Sequence, residues 1–381
     1  MTSVIEPNIF DFATGELSQD AFICWLLSWI KCSPDSSEAD AAREFLVSLY
    51  NSCRDEGLAP SEYRDKVLTP EDVESVEIVR QKKHKIDVYL EVKFNSFDNS
   101  VPFIIEDKVW TSPHSNQLEA YKQKIKNENR SPFCVFYKTG FLYKDKDEAK
   151  AASAGYYIIN AKWMVNLLFR HDSNHPFYLD YIDYLNTRFV APFESAISEV
   201  LSEGGHEYLR TGYKQYILMD KLTNNMERII YGSWNQTVDP GSNNGGTPWT
   251  AFRFMQLTNI FGGKNESLNY RIDYRSKGKK KGQSPYFRVT HYANYKDRPD
   301  LKDFKAKRRG EYSSLYSEAM QSIKSGLKLG KRSNRNGYES EVAIFFLDDP
   351  ENSIPKLIEY IPKIHEKFIS LLNNSVLIKN Q

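Results

Sequence analysis

Two neighbouring segments rich in β-branched and aromatic residues, Ile86–Phe94 and Val101–Trp110, each carry ionisable side chains inside an otherwise apolar run. Asp87 stands near the start of the first and Glu106-Asp107-Lys108 near the end of the second, with the polar turn Asn95–Ser100 between them. The pattern predicts two adjacent strands. Strand alternation places Ile86, Val88, Leu90 and Val92 on one face and Asp87 on the other. In the second strand Phe103, Ile105 and Asp107 share a face, so Glu106 and Lys108 point together to the opposite side. A covered sheet face holding two carboxylates and an ammonium is costly unless the charges are paired or bind a metal. A divalent cation resolves the cost: Mg²⁺ prefers oxygen ligands from one or two carboxylates, a carbonyl and waters, and its bound water can attack a phosphodiester. Lys108 is placed to orient such a water. The bland alternative is a surface salt bridge between Glu106 and Lys108.

The flanking sequence supplies helices. Glu16–Ile30 and Ser37–Cys53 show apolar residues at helical spacing and precede the strands, of which Val76–Val79 is the first. A polar helix from about Ser115 to Asn127 follows, then strands at Phe133–Lys138 and Tyr156–Asn160, then helices at Ala161–Arg170 and Phe177–Leu201. Gln117 and Tyr121 stand at i and i+4 on the polar helix and can reach one pocket. Glu16 and Asp20 have the same spacing on the first helix, and either can add a carboxylate; Glu16 is favoured, with complementing the helix dipole as the alternative for both. Phe22, Trp25 and Trp29 read as core, His114 as a polar surface residue, and Glu91 as either a further ligand or an exposed side chain.

The second half differs in charge. Residues 1–190 hold 22 Lys and Arg against 29 Asp and Glu, whereas residues 191–381 hold 29 against 21. The basic excess concentrates in Lys277–Lys281, Lys305–Arg309 and Lys331–Arg335. Such asymmetry points to a polyanion partner. Lys279, Lys280, Lys281, Lys307, Arg308 and Arg309 are the candidate nucleic-acid contacts. Tyr270, Tyr274, Tyr286, Phe287, Tyr292 and Tyr295, interleaved with Arg271, Arg275, Arg288, Lys296 and Arg298, could stack bases beside phosphates or simply fill a core. The composition shift at Ser202–His206 predicts a boundary, with one domain at 1–203 and a basic α+β domain at 204–381. Its expected strands are Trp249–Met255, Leu268–Arg275, Pro285–His291 and Glu341–Leu347, with helices near Ser314–Lys324 and Ile354–Leu372. No glycine-rich nucleotide fingerprint is present. No apolar run is long enough for a membrane span, the opening residues do not read as a signal peptide, and a cytoplasmic location is expected. The four cysteines lack paired metal-ligand spacing and read as buried free thiols.

Asp87, then eighteen residues, then Glu106-Asp107-Lys108, then Gln117-x-x-x-Tyr121 resembles the D…ExK…QxxxY signature of the PD-(D/E)XK nuclease superfamily, the last element its RecB-like branch. Asn8–Phe12, the helix Glu16–Leu27 and Ile104–Val109 are similar to a bacterial group within it. The resemblance covers roughly the first half of the chain. It implies a restriction-endonuclease-like α/β fold, an αβββαβ core with a mixed sheet flanked by helices, the same order that the residue patterns give. It also implies Mg²⁺ or Mn²⁺ bound by Asp87, Glu106 and the backbone carbonyl of Asp107, Lys108 as the catalytic lysine, and Gln117 and Tyr121 supporting the site or touching the nucleic-acid backbone. Ile86 replaces the proline that names the motif, and the iron-sulfur cysteines of some RecB-like nucleases are missing. The expected activity is metal-dependent hydrolysis of DNA, with phage defence or DNA processing as its setting. The alternatives are a catalytically silent binding module of the same fold and an RNA-directed nuclease. Oligomeric state stays open, a homodimer included.

Overall fold

A computed structural model describes residues 8–13, 15–80, 84–114, 116–202, 208–232, 238–243, 246–277, 281–295, 299–333, 337–347 and 350–378, without the side chains of 80, 197, 200–202, 208, 274–277, 281–284 and 350–352. Two helices lead, α1 (Glu16–Cys32) and α2 (Ser37–Asp55). Ser36 caps α2 by accepting from the Ala39 N–H at 3.2 Å, satisfying one of the free donors of its first turn. On α2, Ala42, Phe45, Leu46, Leu49, Tyr50 and Cys53 recur at three- and four-residue spacing and are fully buried.

Strands β1 (Val73–Arg80), β2 (Val88–Phe94) and β3 (Val101–Lys108) form an antiparallel meander. After α3 (Gln117–Lys126), β4 (Phe133–Lys138) lies parallel to β3. After α4 (Ala149–Ala154), β5 (Tyr157–Asn160) lies parallel to β4, so the five-stranded sheet is mixed and ordered β1-β2-β3-β4-β5. Then come α5 (Ala161–Leu168), α6 (Pro176–Leu185) and α7 (Ala191–Ser202). This is the expected order, except that α4 was not foreseen and the last predicted helix is divided by a π-helical turn, Asn186–Val190.

The sheet is covered on both faces. Val88, Leu90, Val92, Phe103, Ile105 and Val135 pack with residues of α1, α2, α5 and α6. Tyr89, Ile104 and Phe136 pack with Leu118 and Ile125 of α3 and Ala151 and Ala154 of α4. Central β3 is therefore buried along its whole length, and its last three residues are Glu106, Asp107 and Lys108. The fold delivers these charges to the C-terminal end of a doubly covered strand.

The chain divides into two compact units, Met1–Glu194 and Ser195–Gln381, a break inside α7 and earlier than the expected 203/204 boundary. The second unit is α+β. It contains α8 (Gly212–Thr223), β6 (Ile229–Ile230), β7 (Val238–Ser242), β8 (Pro248–Phe261), β9 (Lys264–Lys277), β10 (Lys281–Ala293), α9 (Lys302–Ile323), β11 (Glu339–Phe346) and α10 (Pro350–Asn374). Its six-stranded sheet runs β11-β10-β9-β8-β6, with β7 paired to β8. The strands are longer than expected, and α9 begins at Lys302, so the basic run Lys305–Arg309, outside the helix expected near Ser314–Lys324, is helical.

Candidate active site

Asp87 does not lie within β2. It occupies a bend just before Val88, and alternation fails there: Ile86 joins the α3-side cluster, whereas Val88 joins the α1-side cluster. Freed from a single face, Asp87 reaches the end of β3 from its edge, its Oδ2 accepting from the Asp107 N–H at 3.3 Å and lying 3.5 Å from Lys108 Nζ.

Around Asp87 stand two acidic groups, one on each side of the sheet end. On the α3 side, Glu106 Oε1 lies 2.5 Å from Lys108 Nζ, which also donates to the Asp107 carbonyl at 2.7 Å and lies 3.6 Å from Glu16 Oε2. On the α1 side, carboxylate oxygens of Asp20, Asp87 and Asp107 lie within 4.8 Å of one another, and Gln19 Nε2 donates to Asp107 Oδ2 at 2.8 Å. Glu106 and Asp107 are fully buried and Asp20 nearly so. The side chain of Asp107, assigned from sequence only through its carbonyl, is thus a further acidic ligand candidate. Sequence period placed it on the face opposite Glu106; the signal missed was Gln19, which with the already named Glu16 and Asp20 makes a polar row on α1, a helix that otherwise buries apolar residues.

Burial, reinforced by the charge of Asp87, pushes the Glu106 carboxyl well above the ordinary carboxylate range. Burial and the neighbouring Asp20 do the same for Asp107. Burial alone would lower the Lys108 ammonium, but Glu106, Asp87 and Glu16 outweigh it and hold its pKa above the usual lysine value. Among the described residues, Glu106 Oε2 and Asp107 Oδ1 are buried without a hydrogen-bond partner. A hard divalent cation fits this donor set, because it satisfies partnerless carboxylate oxygens and favours their ionised form.

Helix α3 supports the acids. Gln117 Nε2 donates to Glu106 Oε1 at 2.6 Å and lies 3.2 Å from Tyr121 Oη, which donates to the Lys85 carbonyl at 3.0 Å. His84 and Lys85 have φ of 59° and 65°, the left-handed region, which costs a non-glycine residue about 1–2 kcal/mol. His114 is exposed, and its backbone N–H donates to Gln117 Oε1 at 3.3 Å.

Residues 7–188 match the family model described as the PD-(D/E)XK nuclease superfamily. The N-terminal unit belongs to that superfamily. Among curated proteins and among solved structures, no match to the chain was found.

Within this PD-(D/E)XK unit, Glu16 and Asp20 both reach the site, by different routes. Glu16 is half-exposed beside Lys108 and accepts from Thr111 Oγ1 at 3.0 Å; Asp20 is buried among the carboxylates. Glu91 is drawn away, pairing with Arg130 at 2.7 Å and accepting from Ser100 Oγ at 2.8 Å. Of the cysteines, Cys53 and Cys134 are buried, while Cys24 is half-buried and Cys32 exposed, against the expectation that all four are buried.

In the second unit, Arg308 is buried: it donates to Glu266 Oε2 at 3.0 Å and to Tyr312 Oη at 2.8 Å. Its guanidinium is taken up inside the unit, so the expected phosphate contact is corrected there. Lys307 is exposed and Arg309 half-buried on α9. Lys279 and Lys280 lie outside the described residues, as does the side chain of Lys281. Tyr270 and Phe287 are core, and Arg271 and Arg288 converge on Asp273 Oδ2 at 2.5 and 2.9 Å, so this part of the aromatic-basic mixture is internal. Among the described residues, no helix is long and apolar enough to cross a membrane.

Proposed function

We propose that the N-terminal unit is a metal-dependent nuclease that hydrolyses phosphodiester bonds of DNA, with Mg²⁺ or Mn²⁺ as cofactor. One observation carries the reading: Asp87, Glu106 and Lys108 converge at the end of a buried strand where Glu106 Oε2 and Asp107 Oδ1 have no hydrogen-bond partner among the described residues. Asp87, Glu106 and the Asp107 carbonyl would hold the cation, with the Asp20 and Asp107 carboxylates within reach through Asp87. Bound there, it would act as Lewis acid and charge neutraliser for phosphoryl transfer. Lys108 orients the attacking water and offsets the charge that develops on the phosphate oxygens as the new P–O bond forms and the ester P–O bond breaks. Gln117 fixes the rotamer of Glu106, in keeping with a QxxxY-type arrangement.

Phosphate contacts from Lys307 and Arg309, and from Lys279, Lys280 and Lys281, would set affinity through counterion release rather than base readout. A role in phage defence or DNA processing agrees with the family resemblance.

The deciding test is cleavage of linear and circular DNA, single- and double-stranded, with Mg²⁺, Mn²⁺ or EDTA, using wild type, Glu106→Gln and Lys108→Ala. Metal-dependent cutting by wild type and none by either variant is expected. DNA bound but never cut would favour the silent binding module, and cutting confined to an RNA control would move the substrate to RNA.

A further inference from the structure

His84 and Lys85, two successive non-glycine residues in the left-handed region, form the turn that immediately precedes Ile86 and Asp87. Such a pair persists only where its surroundings impose it. Among the described residues, those surroundings include one row of side chains along α3 and just beyond its C-terminal end. Tyr121 Oη donates to the Lys85 carbonyl at 3.0 Å, Lys124 Nζ to the His84 carbonyl at 3.4 Å, and the His84 ring Nε2 hydrogen-bonds to Glu128 Oε1 at 2.7 Å. Lys124 also lies 5.4 Å above the Tyr121 ring, tying the row together. Fully buried Ile86 joins Leu118 and Ile125 in the apolar cluster beneath.

We propose that His84, Lys124 and Glu128 are positioning residues for Asp87. Together with Gln117 on Glu106, they make α3 the element that orients both motif acids: its first turn fixes the rotamer of one, and its last turn holds the strained bend that aims the other. The His84–Glu128 pair is half-exposed and weak as an ion pair. Its importance is directional, since it opposes relaxation of a turn two residues from a carboxylate whose placement chemistry requires to within about an ångström. The catalytic consequence rests on the nuclease reading above; the restraint on the bend does not.

Glu128→Ala removes the acceptor, and Glu128→Gln keeps one. In Glu128→Ala, the amides of Ile86 to Val88 are expected to exchange roughly tenfold faster with solvent, while exchange elsewhere and the melting temperature hold. Mn²⁺ affinity measured by calorimetry should weaken by about three- to tenfold, and kcat should fall roughly tenfold with KM for DNA unchanged, the scale expected when a supporting partner of a ligand is lost. Glu128→Gln should restore most of each effect. Wild-type exchange at Ile86 to Val88 in Glu128→Ala, or faster exchange spread over the whole unit, would overturn the proposal. If the wild type neither binds Mn²⁺ nor cuts DNA, the nuclease reading fails, and hydrogen exchange still decides whether the restraint exists.

Discussion

Gln117 Nε2 donates to Glu106 Oε1 at 2.6 Å, and Lys108 Nζ lies 2.5 Å from the same oxygen. Two donors thus hold one carboxylate oxygen and leave Oε2, buried, without a hydrogen-bond partner among the described residues. The glutamine sets which oxygen is spent on the protein and which remains for a ligand. Gln117→Leu keeps the bulk and loses the donor, and single-turnover cleavage is expected to fall by about 10–100-fold. A wild-type rate would make Gln117 an ordinary helix residue.

Asp20 and Glu16 separate by the company they keep. Asp20 lies with Asp87 and Asp107, whereas Glu16 faces Lys108 from a half-exposed position. Asp20→Asn should therefore weaken Mn²⁺ binding by at least about tenfold, and Glu16→Gln by much less. Isothermal titration of both variants checks this; the reverse order would restore the preference for Glu16 drawn from the sequence.

Arg308 is a structural cation. Removing it takes the guanidinium from buried Glu266, which among the described residues keeps only its hydrogen bonds with His291 and Tyr312, so Arg308→Met should destabilise the second unit by about 3–5 kcal/mol. Lys307→Gln is exposed and should leave stability within about 0.5 kcal/mol while lowering the salt dependence of DNA binding. Denaturant unfolding and binding at several salt concentrations distinguish the two. An Arg308→Met protein that is stable but binds DNA poorly would reassign this arginine to the substrate.

His365 supplies a pH dependence. It is buried in the second unit, its Nδ1 3.2 Å from Tyr270 Oη and its Nε2 2.8 Å from the Glu227 carbonyl, and burial pushes its pKa down from 6.5 to about 4. Between those values the unfolded chain takes up a proton that the folded chain refuses, so stability falls as pH drops through this window, by up to about 1.4 kcal/mol per pH unit. His365→Gln should remove close to one proton from the linkage. Urea unfolding of both proteins at pH 7, 6 and 5 gives the slopes, and equal slopes would mean that His365 titrates alike in both states.

Much of the N-terminal unit was legible because it is written in local patterns. The α1 and α2 rows, the β1–β3 meander, α3 and β4 appear within a few residues of their expected positions, since each buries a face whose period shows in the sequence. Glu106 lies beside Lys108 and Gln117 beside Tyr121, as their spacing suggested, and Gln117 joins the two pairs through Glu106, as the resemblance implied. Asp87 reached the site by another path, from a bend before the strand, because strand alternation holds only while the strand lasts. The basic run Lys305–Arg309 misled for the opposite reason. Once helical, it turns Lys305 and Arg308 inward, three residues apart on one face, and leaves Lys307 outside.

The sequence by itself determined which segments become strands and helices, and which ionisable residues fall at the end of a buried strand, because periodicity and residue chemistry act over neighbouring positions. Only the tertiary structure decided that Asp20, Asp87 and Asp107 share one pocket, that Gln19 reaches Asp107 across 88 positions, and that Glu266 claims Arg308. Those pairings depend on which row of a helix faces a sheet edge, and contacts between residues far apart in the chain leave no periodic trace in either segment.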